Sequence, residues 1–100
     1  MNPELMKIKV RTILELKEIL GQRELELFVP KGCSMGELLT SMIDTWGDRL
    51  GTYLLRPKGE QNLPHVRLMI NGRDIQFLNG EGTVLEDGDE VLILPIVSGG

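Results

Sequence analysis

The sequence predicts an α+β domain: one mixed sheet of four to five strands packed on one main helix. Three features predict it. The chain opens on an apolar–basic alternation of period two, carries one strongly amphipathic helix near its middle, and closes on strand-like runs punctuated by turn residues. The order is strand, strand, helix, strand, short strand, strand. Hairpins at both ends of a single helix wrap a sheet around it, one layer on the other. The long connection between the first and last strands permits them to pair in parallel at the centre.

The first strand is Met6-Lys7-Ile8-Lys9-Val10-Arg11, with Met6, Ile8 and Val10 inward. Residues Leu14 to Leu20 are helix-compatible, and Gly21 is a suitable stop. A second strand spans Glu24 to Val29, with Leu25, Leu27 and Val29 alternating with Glu24, Glu26 and Phe28. Antiparallel pairing sets its Glu residues opposite Lys and Arg of the first strand, worth about 0.2–1 kcal/mol per pair. Pro30 ends the ladder. The main helix runs from Ser34 to Gly47. Ser34 and Glu37 match a capping box. Met35, Leu38, Leu39, Met42, Ile43 and Trp46 form one apolar stripe, which makes Trp46 a core residue. Residues Asp48 to Pro64 read as a loop with a turn of helix around Tyr53 to Leu55. A third strand covers His65 to Ile70. Asn71-Gly72 signals a tight hairpin, because both central positions need positive φ, and a short return strand lies near Arg73 to Phe77. Gly80, Gly82 and Asp87-Gly88-Asp89 mark turns before the last strand, Glu90 to Ile96.

Composition bounds the function. A chain of 100 residues, 41% hydrophobic and 26% charged, is one folded domain over residues 1–100. Its net charge of −4 makes it a poor ligand for a phosphate backbone, so no nucleic-acid partner is expected. The longest apolar run, Val91 to Val97, is interrupted by Pro95 and is far shorter than the ~20 residues of a membrane span. The N-terminus has no apolar h-region, so no secretory signal is expected. One cysteine, Cys33, allows no internal disulfide, no cysteine-cluster zinc site and no CxxC pair, and points to a reducing cytoplasm. One histidine, His65, cannot form a histidine metal cluster, and it reads as a solvated residue at a strand start. No bound metal and no tightly bound cofactor are expected, and the shortage of bases and ligands argues against a self-sufficient enzyme.

Val91-Leu92-Ile93-Leu94 has no polar face. A strand covered on one side only should alternate, so this run implies either a second cover or an apolar surface patch. With Val91 and Ile93 facing the helix, Leu92 and Leu94 face out. Met69 joins them, and Arg67, Lys7 and Lys9 rim the patch. The alternative is that segment 48–64 folds over this face. After Pro95 the chain reads Ile96-Val97-Ser98-Gly99-Gly100, a flexible tail over residues 95–100. Glycine carries no Cβ, so such an end can thread a narrow channel and leave its carboxyl open to attack.

The segment Leu85, Asp87-Gly88-Asp89-Glu90-Val91, then Pro95 and Val97-Ser98-Gly99-Gly100, resembles the C-terminal signature of the MoaD proteins. MoaD is the small subunit of molybdopterin synthase, a ubiquitin-like β-grasp sulfur carrier. The related ThiS proteins serve thiazole synthesis and also end in Gly-Gly. Two departures stand out: an aliphatic Leu92-Ile93-Leu94 where aromatics are frequent, and Ile96 where a second proline is common. The resemblance implies a cytoplasmic carrier for molybdenum or tungsten cofactor synthesis. An E1-like (MoeB-like) enzyme adenylates the Gly100 carboxylate with ATP and Mg, and a sulfur donor protein converts it to a thiocarboxylate. The molybdopterin synthase large subunit (MoaE-like) then receives the tail. Gly100 is the reacting residue, with Gly99 beside it. Pro95, Ile96, Val97 and Ser98 line the inserted tail, and Met69, Leu92, Leu94 and Arg67 dock the partner. Rival readings are a protein modifier joined to lysines, a carrier for thiazole or another thiolation, and a noncovalent binding module.

Other residues read more simply. Cys33 precedes a helix cap, where a thiol pKa can fall, but no base or second cysteine accompanies it, so it is structural. Gly80-Glu81-Gly82 lacks the Gly-Lys-Ser/Thr end of a P-loop and is a turn. Asp87, Asp89 and Glu90 form a turn with charge contacts to the activating enzyme.

Overall fold

The computed structural model describes residues 4–54 and 66–95. In chain order the elements are β1 (Leu5–Thr12), α1 (Leu14–Leu20), β2 (Glu24–Pro30), α2 (Met35–Trp46), α3 (Asp48–Leu54), β3 (Val66–Ile70), β4 (Arg73–Asp74) and β5 (Glu90–Pro95). Short 3-10 turns at Ile75–Phe77 and Gly80–Gly82 precede β5. The sheet has five strands in the order β2-β1-β5-β3-β4. β1 and β5 pair in parallel at the centre, and the other pairings are antiparallel. This is the β-grasp arrangement, and it is the mixed sheet the sequence predicts.

Alternation explains the core. Met6, Ile8 and Val10 of β1 and Val91 and Ile93 of β5 turn one way and are almost wholly buried. Against them lie Met35, Leu38, Leu39 and Met42 of α2. The β1–β2 register places Lys9 opposite Glu26 and Arg11 opposite Glu24. Arg11 pairs with Glu24 directly across the ladder at 3.4 Å, and ion pairs also run diagonally, Lys7–Glu26 at 3.5 Å and Lys9–Glu24 at 3.9 Å. These side chains are about half exposed, so each pair contributes no more than about 1 kcal/mol.

α2 begins on the predicted capping box. The Glu37 N–H donates to Ser34 Oγ at 3.2 Å, and the Ser34 N–H donates to Glu37 Oε1 at 2.9 Å. It stops at Gly47, whose φ of 82° suits a residue without Cβ and whose N–H donates to the Ile43 carbonyl at 2.7 Å. Asn71 and Gly72 have φ of 51° and 86°, both positive as the hairpin requires.

The structure corrects two expectations. Asp48 does not open a loop: α3 follows Gly47 directly. Its driving force is a pair one turn apart, Leu50 and Leu54, which join the main core together with Leu16 and Leu20 of α1. Two short helices therefore complete the layer begun by the main one. The remainder of segment 48–64 and His65 lie outside the described residues. The return strand near 73–77 is shorter than predicted. Asp74 accepts from the Gln76 N–H at 2.9 Å and turns the chain into a 3-10 helix. The last strand is described from Glu90 to Pro95, and Ile96 lies outside the described residues.

Leu50 is fully buried. Leu50→Ala is expected to destabilise the fold by about 2–5 kcal/mol, read as a lower urea midpoint. A loss within experimental error would mean that α3 is peripheral.

Candidate functional site

The site grows from β5, which has a neighbour on each side. β1 fixes its depth: Val10 lies opposite Val91 and Arg11 opposite Leu92. β3 fixes its other flank: Met69 lies opposite Leu92 and Arg67 opposite Leu94. Val91 and Ile93 point to the core, so Leu92 and Leu94 share the outer face with Met69 and Arg67. All three apolar residues are half-buried. The sheet thus brings Met69, Leu92, Leu94 and Arg67 together in adjacent rows.

The rim differs from the prediction. Arg11, not Lys7, is the basic neighbour of Leu92, because the parallel register offsets β1 against β5. Lys7 lies farther along β1, opposite Phe28. Lys9 lies opposite Glu90. Arg11 bridges to Glu90 at 3.7 Å and to Glu24 at 3.4 Å, while Lys9 reaches Glu24 at 3.9 Å. At the other flank Arg67 Nε lies 3.6 Å from Asp74. A shallow groove continues the patch past Arg67 and Met69 to Phe77, which is 86% exposed. The sequence reading missed Phe77 because it placed that residue in a strand. α3 packs with α1 and α2 on the helix side, so residues 48–54 do not cover the outer face.

One polar group anchors β5 from within. Among the described residues Thr12 is the buried polar residue of the core, and its hydroxyl donates to the Ile93 carbonyl at 2.5 Å. That contact holds β5 two residues before Pro95. Nothing in the sequence marks Thr12 except that it continues the inward phase of β1. Pro95 itself is half-buried, opposite Val66. Ile96, Val97, Ser98, Gly99 and Gly100 lie outside the described residues.

The acidic turn serves the fold. Asp87 accepts from the Lys7 N–H at 2.8 Å, and the Gly88 N–H donates to the Lys7 carbonyl at 2.8 Å. Asp89 accepts from the Glu86 N–H at 2.8 Å and from Asn71 Nδ2 at 2.9 Å. Asn71 Oδ1 in turn accepts from the Glu90 N–H at 2.9 Å. Asp87 and Asp89 therefore tie β1, the hairpin and β5 together, a use that composition alone does not reveal. Among the described residues no group of His, Cys, Asp and Glu could hold a metal ion. No helix among them is long and apolar enough to cross a membrane. Trp46 is partly buried and packs on the core.

Cys33 is buried beneath the start of α2. Burial pushes its thiol pKa up, and the nearby Glu37 carboxylate pushes it further the same way. The helix terminus does not activate it.

Comparison with known proteins adds four findings. The profile of the ThiS family matches residues 10–100. Small archaeal modifier protein 3 of Haloferax volcanii is 32% identical over 95 residues, covering 95% of this chain and all of that one. The solution structure of the Haloferax volcanii HVO 2177 protein superposes with a TM-score of 0.82 at 32% identity, covering all of this chain and 92% of that one. A shorter match, 46% identical over 35 residues, links 35% of this chain to 38% of the sulfur carrier protein CysO of Mycobacterium tuberculosis.

Native Cys33 is expected to alkylate with iodoacetamide far more slowly than the same thiol in the urea-unfolded chain. Its native rate should still be climbing with pH above the ordinary thiol range, because the protonated form is the favoured one. Fast alkylation of the native chain at neutral pH would contradict the buried placement.

Proposed function

The chain belongs to the ThiS family of ubiquitin-like sulfur carriers and small modifiers, and from that premise we propose that it carries sulfur on the carboxyl group of Gly100. The observation that carries this reading is the arrangement of β5. A central strand, locked by β1, β3 and Thr12, presents Leu92 and Leu94 on its outer face and leads directly toward Gly99-Gly100. Such a patch serves docking, and a small-residue tail behind it reaches a partner's reaction centre.

The chemistry belongs to the partners. A Gly100 carboxylate oxygen attacks the α-phosphorus of ATP, held with Mg by an E1-like enzyme of the MoeB kind, and pyrophosphate leaves. The acyl-adenylate makes AMP the leaving group. A persulfide on a sulfur donor protein attacks the acyl carbon and expels AMP. A thiol reductant then cleaves the S–S bond and frees the thiocarboxylate. Delivery in molybdopterin synthesis follows when the tail, residues 95–100, enters a large subunit of the MoaE kind, with Pro95, Ile96, Val97 and Ser98 lining the passage. Met69, Leu92, Leu94 and Arg67 dock both partners. Arg11 joins them by its place beside Leu92, and Phe77 by its place on the same groove. The cytoplasm is the compartment that fits such chemistry.

A second reading has specific support. The Haloferax relative that matches along its full length is named a modifier. The same adenylate, attacked by a lysine amine instead of sulfur, yields an isopeptide. Conjugates of higher mass that disappear when Gly100 is deleted would favour it.

Intact mass after incubation with the E1-like enzyme, ATP-Mg, a persulfide donor and a thiol reductant is expected to rise by one sulfur less one oxygen. The Gly100-deleted chain should stay unchanged. No mass change beside a demonstrably active E1-like enzyme would overturn the carrier reading. Leu94→Glu is expected to raise the apparent KM for adenylation about tenfold or more with little change in kcat, since a charge then faces an apolar contact. An unchanged KM would move the docking site elsewhere.

A further inference from the structure

We infer that the open edge of β2 is a second recognition site, which takes an extended partner segment of alternating basic and apolar residues by strand addition. The inference does not depend on Gly100. It starts from the ladder phase. The Thr12 N–H donates to the Arg23 carbonyl at 2.9 Å, and the Lys31 N–H donates to the Glu4 carbonyl at 3.0 Å. Odd-numbered residues of β2 therefore turn their backbone groups toward β1. Glu24, Glu26 and Phe28 turn theirs the other way, and β2 is the terminal strand of the sheet. Among the described residues no turn or loop hydrogen bond uses these outward groups. Pro30 has no N–H, and its carbonyl already accepts from the Cys33 N–H at 3.1 Å. The edge thus offers three N–H and C=O pairs at the two-residue spacing that an added strand matches.

Two clefts flank the same edge. One wraps the edge and is lined by Leu25, Leu27 and Trp46 together with Lys9, Glu24 and Glu26 of the outer face, and the other by Phe28, Val29, Cys33, Glu37 and Ser41. Alternate side chains of an added strand fall into these clefts, between β2 and α2. The remaining side chains fall on the outer face beside Glu24 and Glu26. Both carboxylates are about half exposed, and their Lys and Arg partners all lie on the β1 side. Charge complementarity therefore favours a partner with Lys or Arg on that face and apolar residues on the other.

A second copy of this chain fits the edge less well. Antiparallel self-pairing that uses all three outward residues puts Glu26 opposite Glu26. Shifting the register by two residues brings Pro30, which cannot donate, into the ladder opposite Glu24. The β2 edge lies one strand away from β5, beyond β1, so an added strand leaves Leu92, Leu94 and Met69 open to another partner.

The test uses the full chain and a capped seven-residue peptide of alternating lysine and valine, Lys at both ends. On titration the amide signals of Glu24, Glu26 and Phe28 are expected to shift and to exchange more slowly with solvent. Glu26→Pro deletes one outward N–H and no β1 ladder bond, a position where an edge strand tolerates proline. It should weaken binding about tenfold with little change in the unfolding midpoint. Glu26→Gln, which keeps the backbone, should weaken binding and reduce its salt dependence. The inference fails if millimolar peptide leaves those three amides unmoved, or if shifts are confined to Met69, Leu92 and Leu94. It also fails if a glutamate–valine peptide binds as well, or if sedimentation shows the chain already dimerised through β2.

Discussion

The parallel pairing of β1 with β5 is the constraint on which the rest of the structure depends. It joins residues from the two ends of the chain: the Thr12 hydroxyl meets the Ile93 carbonyl across 81 positions of sequence. Every other element lies in the connection that this pairing closes. β2 folds back from β1, α2 crosses the sheet, and β3 returns alongside β5. Closing so long a connection costs only logarithmically more than closing a short one. The burial of Val10, Val91 and Ile93 against α2 offsets it. The acidic turn reinforces the same junction, since Asp87 accepts from the Lys7 backbone and the Gly88 N–H donates to it.

That constraint explains why β5 has no polar face. Its inner residues belong to the core, as in any central strand. Its outer residues, Leu92 and Leu94, are the ones that the proposed docking reading uses. Leu92 sits between Arg11 and Met69, and Leu94 lies opposite Arg67. A patch on a tightly locked central strand keeps its shape when a partner docks, so little ordering entropy is lost there. The charged half of the same face does the opposite work. Lys7, Lys9 and Arg11 with Glu24, Glu26 and Glu90 form an exposed ion-pair lattice that contributes little stability but keeps that half wet.

The fold was legible because its signals are local. Period two in Met6 to Arg11, the capping box at Ser34 and Glu37, and Asn71-Gly72 each dictate a backbone shape within a few residues. The outward patch was legible too, because Leu92 and Leu94 break a rule that one-sided sheets obey. The misreadings arose where local and tertiary preferences part. Asp48 to Leu54 contains Gly51 and follows Gly47, which reads as loop, yet Leu50 and Leu54 find the core and the helix forms around them. A Cβ at Gly51 would meet Ile43 at an ordinary 3.6 Å, so the packing does not require glycine there. Arg73 to Phe77 alternates like a strand until Asp74 captures the Gln76 N–H. Thr12 and the outward phase of the β2 ladder were invisible for a different reason. Both depend on register, and a register belongs to two strands at once.

On the proposed carrier reading, specificity comes from recognition by several partners in turn. Under that reading, partners that act on the Gly100 carboxyl compete for the surface beside it, so they would share Leu92, Leu94 and Met69 and bind one after another. A surface used in succession cannot also be the place where any one partner is held between steps. An edge strand one row beyond β1 meets that need, since backbone hydrogen bonds supply affinity without occupying the patch. The fold leaves that edge open and guards it against self-pairing with Glu26 and Pro30. The two features together fit an edge kept available for a basic partner rather than one left unprotected by accident.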